Sequence, residues 1–166
     1  MIFNGYKFRG KHATYAKFLA TDKGSERKDG LNIFNRILDV YMISAIVGLI
    51  YDRRSQIDNS VKDSSDIEAQ QMYKEQEKLM YIYRLILLLD TSTGLTEQER
   101  INRAFKTDDD ENQIKKNLEL FNSYVLGGVE HLYDVFSNSY GNEDDIMNEM
   151  LSFVETFNNY GERYDI

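Results

Sequence analysis

The chain contains no proline, no cysteine and no tryptophan among its 166 residues. Average usage would place about eight prolines in a chain of this length. Proline lacks the backbone N–H and clashes with the preceding helical turn, so it breaks helix interiors. Its absence favours a mostly helical protein. The absence of cysteine removes disulfides, thiolate metal sites and cysteine nucleophiles together, and a secreted disulfide scaffold with them. Histidine is nearly missing as well, with His12 and His131 the only two. Neither follows an acid by three residues, so the Glu-x-x-His element of di-iron bundles is lacking. There is no HExxH, no GxSxG and no GxGxxG, and Gly10–Lys11 lacks the remainder of a phosphate loop. No catalytic residue, cofactor or metal is therefore expected.

One calcium-like spacing can be tested and set aside. Asp108, Asp110, Asn112 and Glu119 fall at positions 1, 3, 5 and 12 of an EF-hand loop. Gln113 stands where the loop's sharp turn needs glycine, and Lys115 where an apolar residue is usual. An acidic first turn of a helix accounts for the same residues through the helix dipole.

The opening residues, MIFNGYKFRGKH, hold no unbroken apolar core, so they do not read as a signal peptide. The expected location is the cytoplasm. The longest apolar stretch is Leu31–Tyr51, and its second half, Val40–Tyr51, carries no charge. That uncharged part is shorter than the roughly 20 residues a membrane span requires, and Arg36 and Asp39 lie in the first half. A helix apolar on every side must be surrounded on every side. This stretch is expected to be the central post of the fold, with Asp29 as its N-cap.

An apolar share of 42% is that of a folded domain. The expected organisation is one helical domain over residues 1–166, in which 1–30 form a basic, aromatic-rich N-terminal arm plus a short helix. Further helices are expected over about 66–89, 97–105, 111–138 and 143–159. Thr96 and Glu99 have the spacing of a capping box, and Asn142 suits the N-cap of the last helix. No segment shows a strand pattern. The fold class is all-α: an irregular bundle of five to seven helices around the central apolar helix at about 31–51. Arg84 is the lone charge in the run LMYIYRLILLL. It is expected to pair with Asp39 or Asp90, or to reach solvent along its own stem.

Two clusters stand out. Ser44 and Gly48 are small residues one turn apart on the central helix, and Gly127–Gly128 interrupts a long amphipathic pattern. Each glycine costs about 1 kcal/mol inside a helix, so either the helix breaks there or something passes very close. The four are read as a close-packing contact, with a homodimer seam as the alternative. The second cluster interleaves cations with aromatics: Tyr6, Lys7, Phe8, Arg9, Lys11, His12, Tyr15, Lys17 and Phe18. Bases stack on rings while Lys and Arg meet phosphates. The competing reading has the rings anchoring the arm to the core and the cations lying on an acidic body. Charge supports both, since residues 1–36 sum to +5 and the remainder to −13.

These observations point to a non-enzymatic interaction module: a small acidic helical accessory or regulatory subunit of a nucleic-acid-associated assembly. It would have a protein partner and contact nucleic acid, if at all, through the arm. The alternative is an inhibitor whose acidic surface fills a basic nucleic-acid groove on a target enzyme. An enzyme built from dispersed carboxylates such as Asp39 and Glu130 is the least favoured reading.

Overall fold

The chain threads its first residues into the core before it forms any helix. The computed structural model describes residues 2–20, 33–138 and 143–161. Strand β1 (Tyr6–Arg9) pairs antiparallel with β2 (Ser64–Ile67), Tyr6 opposite Ile67 and Phe8 opposite Ser65. Strand alternation then sends Lys7 and Arg9 outward, while Phe8 and Ile67 are buried. Just before β1, Phe3 packs edge-on against Tyr83 and Phe121. This two-stranded sheet corrects the expectation of no strands. Each strand is only four residues long and its partner lies nearly sixty residues away, so no local pattern marks it.

Seven helices follow among the described residues: α1 (Lys11–Leu19), α2 (Ile37–Ile50), α3 (Ala69–Lys74), α4 (Gln76–Leu89), α5 (Glu97–Phe105), α6 (Glu111–Ser137) and α7 (Glu143–Gly161). The architecture is an irregular all-α bundle with a small sheet on one side. Helices α5 and α6 run close to their expected bounds. The Thr96–Glu99 capping box forms in both directions. Asp110 caps α6 through Gln113 N–H at 3.1 Å. Asn112 and Glu119 are thus helical, and the calcium-like spacing does not form a loop.

Helix α2 is shorter than expected. Residues 33–36 are non-helical; Phe34 N–H donates to the Leu19 carbonyl at 3.0 Å, and Arg36 has extended backbone. The lead-in therefore lies beside the end of α1. The expected cap Asp29 is outside the described residues, as are Tyr140, Gly141 and Asn142. At its other end α2 closes in a Schellman motif. Asp52 adopts φ 47°, Arg53 N–H reaches Gly48 O at 2.8 Å, and Asp52 N–H reaches Leu49 O at 3.2 Å.

The single helix expected over 66–89 is also corrected. Asp66 and Ile67 belong to β2, and the helical run breaks at Glu75 into α3 and α4. Arg84 pairs with neither Asp39 nor Asp90. It bonds Asp108 at 2.7 Å and lies over the Phe105 ring, because Asp39 is held by Arg36 and Asp90 by Arg103.

The core centres on the crossing of α2 with α6, the largest helix–helix contact among the described residues. Around it pack Tyr41, Tyr83, Phe121 and Tyr124, all essentially buried. Among the described residues no helix is long and apolar enough to cross a membrane.

Candidate functional site

The arm cations come first, since sequence singled them out. Lys7 pairs with Asp66 at 3.1 Å, Lys11 with Glu130 at 2.9 Å, and Lys17 with Asp63 at 2.5 Å. Of the four cations within residues 6–18, only Arg9 has no carboxylate partner among the described residues, and Lys23, Arg27 and Lys28 of the arm lie outside them. Phe8 and His12 are fully buried and Tyr6 largely so, which corrects their placement on a contact surface. Tyr6 packs edge-on against Phe8 and at a tilt against Tyr41, and Tyr15 lies flat on Tyr133 at 3.8 Å. The rings anchor the segment and the cations lie on acidic groups of the body.

Glu130 gathers several of these contacts. Its Oε1 accepts from Lys11 Nζ and His12 Nε2, each at 2.9 Å, and from Ser55 Oγ at 2.7 Å. Its Oε2 lies 3.5 Å from Arg53 Nη2. Burial opposes its charge, but the hydrogen bonds from Lys11, Ser55 and His12 outweigh that and hold its pKa at about 2. Burial also pushes the His12 pKa down, against the pull of Glu130. His12 is thus neutral near pH 7, and Nε2–H donates to the carboxylate while the buried Nδ1 has no partner. Glu130 rivets α1 and the 52–63 connection onto α6. Asp39 pairs instead with Arg36, so the two carboxylates considered for a site share no partner.

The same connection reaches the start of α1. Asp58 accepts the Lys11 backbone N–H at 2.8 Å, so a residue 47 positions away serves as that helix's cap. Hydrogen bonds from Ser60 and from Lys11 N–H hold the Asp58 pKa at about 2.

The four small residues meet inside the protein. A Cβ on Gly128 would sit 1.8 Å from Ser44 O, and one on Gly48 would sit 2.1 Å from Tyr124 O. A Cβ on Gly127 would strike Arg53 O at 1.9 Å. Helix α6 runs unbroken through both glycines. Gly128 admits α2, and Gly127 admits the chain just beyond it. Ser44, Gly48, Gly127 and Gly128 are all buried in this intramolecular contact.

Sequence reasoning missed a second polar centre. Asp90 is 0% exposed. It accepts from Tyr124 OH at 2.7 Å, Thr93 Oγ1 at 3.0 Å, Arg103 Nη2 at 3.2 Å and Ser92 Oγ. Arg103, itself nearly buried, also bonds the Leu87 carbonyl and Thr93. The polar run DTSTG after an apolar helix was the available signal, but it reads equally well as an ordinary turn. The network ties α4, α5 and α6 together. An open groove of about 1010 Å³ lies beside α3 and α4, lined among others by Tyr73, Lys74, Met80 and Arg84. Its charges are largely matched across it, Lys78 by Glu75 and Arg84 by Asp108.

The arrangement is one of internal charges consumed by the fold and of apolar side chains left outside, notably Met147, Leu151 and Val154 on α7. A family model described as DNA sulphur modification system-associated protein 4 matches residues 14–165. The chain belongs to this family. The match takes in every helix core, the small-residue crossing, Glu130 and α7, while β1 precedes it. Membership makes the chain a protein associated with a nucleic-acid modification system. No curated protein matches, and no solved structure matches.

Proposed function

We propose that this member of the family is a non-enzymatic accessory subunit that serves its DNA sulphur modification system in the cytoplasm by binding another protein. The observation that supports this reading is the internal neutralisation of the N-terminal cations by Asp66, Glu130 and Asp63. Affinity for DNA comes mainly from free cations that displace counterions from phosphates. With three of the four cations of residues 6–18 already paired, that part of the arm offers little for that purpose. Residues 37–166 carry a charge of −13, which repels a polyanion further.

Two measurements test the proposal together. Fluorescence anisotropy with double- and single-stranded oligonucleotides at low salt should show no saturable binding. Affinity purification of the tagged chain, from a host carrying the modification system, should recover protein components of that system with or without nuclease. Salt-steep oligonucleotide binding, or recovery abolished by nuclease, would overturn the reading.

A further inference from the structure

Helix α7 has more apolar surface than the core covers. Ile146 is buried, and Met150, Phe153 and Phe157 pack against the core. Met147, Leu151 and Val154 form a second stripe beside that one, at i, i+4 and i+7. They are 54%, 58% and 53% exposed. This is the spacing by which one helix seats against another apolar ridge. The charge on α7 itself is of one sign. Residues 143–161 contain Glu143, Asp144, Asp145, Glu149 and Glu155, and no Lys, Arg or His. The first three complement the helix N-terminus. Glu155 lies beyond the first turn, where the dipole does not call for it, and at 3.6 residues per turn it projects with Asp144 along one edge of the stripe, whereas the half-buried Glu149 lies on the opposite side of the helix.

We propose that the Met147–Leu151–Val154 stripe docks an amphipathic helix of a partner protein whose apolar ridge is flanked by Lys and Arg. Charge selects this occupant. A second copy of α7 would bring two acidic edges together, and a nucleic acid would set phosphates against Asp144 and Glu155. A basic amphipathic helix covers the apolar stripe and complements that acidic edge. The inference rests on the protein-partner reading above and narrows it to one surface and one chemistry.

The test uses the full chain and a fluorescent helix-patterned Leu/Lys peptide of about 18 residues, five turns long. Its counterpart carries Glu in place of every Lys. The Lys peptide is expected to bind saturably and to weaken several-fold as salt rises past the point where the screening length is ~10 Å. The Glu peptide is expected not to bind. Leu151→Asp should weaken the Lys peptide by about tenfold or more, and separately Glu155→Lys should weaken it several-fold. Leu151 is exposed, so the thermal melt of Leu151→Asp should match that of the parent chain. The charge-reversed variant, which adds no buried group, keeps the test valid should that melt shift. Binding of either peptide that ignores these substitutions, or failure of the Lys peptide to bind, overturns the proposal. So does a chain dimer that Leu151→Asp dissociates. Nuclease-resistant recovery of system proteins that persists unchanged in Leu151→Asp would leave the accessory reading standing and remove this surface alone.

Discussion

Adding one carbon at Gly128 should loosen the whole bundle. The opposing atom is the Ser44 backbone oxygen, 1.8 Å from where the alanine Cβ would lie, with Gly48 N at 2.9 Å. Ordinary contact begins near 3.4 Å, so α2 and α6 must move apart by more than 1 Å. Neither can yield locally, because the obstacle is main chain within a hydrogen-bonded helix. Overpacking a core costs about 1–3 kcal/mol and more where backbone must shift. A gap of up to ~1 Å also forfeits a quarter to a half of each dispersion contact across the crossing. Against this, alanine gains about 1 kcal/mol of helix propensity over glycine. The expected net loss is about 3 kcal/mol from a total near 5–15 kcal/mol. For a domain of this size that lowers Tm by roughly 6–12 °C. Urea denaturation followed by circular dichroism measures it, with Gly94→Ala as the comparison. Gly94 has open space around it and only its φ of 69° to strain, so about 1 kcal/mol is expected there. If Gly128→Ala proved neutral or stabilising, the close crossing of α2 on α6 would be refuted.

Further outcomes follow from the buried polar groups. Ser44 Oγ is buried without a partner, so Ser44→Ala should raise stability by about 1 kcal/mol in the same denaturation assay; a loss of that size would contradict the assignment. Asp90→Ala strands the buried Arg103 guanidinium and should cost about 3–5 kcal/mol, read as a shifted urea midpoint. Glu130 has its folded pKa lowered from 4.5 to about 2, so its charged form stabilises the fold above pH 4.5. That contribution, about 3 kcal/mol at most, should vanish as pH falls from 4.5 to 2. His12, whose pKa is lowered by burial, adds a loss that begins as pH drops below 6.5. Stability measured against pH should therefore decline on the acid side in two stages, and Glu130→Gln should flatten the lower one.

What could be read along the chain was whatever depends on near neighbours. The Thr96–Glu99 box, the 3–4 spacing of Ile114 to Phe136 and the acidic start at Asp110 needed no partner beyond one or two helical turns. The glycine pair announced a close approach because a costly residue, doubled inside a strong helix pattern, demands a steric reason. The pattern did not name what approaches Gly127. That is the main chain at Arg53, placed there by the left-handed turn at Asp52.

Long-range pairing lay beyond local reading. β1 meets β2 across nearly sixty residues, and this converts Asp66–Ile67 from a helix start into a strand. Composition alone established a helical, disulfide-free chain with a basic beginning and an acidic remainder. Tertiary structure alone decided which of those charges remain available. A lysine is basic wherever it occurs in the sequence, but Lys7, Lys11 and Lys17 reach carboxylates only after the sheet and the α1–α6 contact form. The fold thereby engages Lys7, Lys11 and Lys17 with its own carboxylates and leaves Met147, Leu151 and Val154 of α7 exposed, because burial and ion pairing depend on the separation of groups in space.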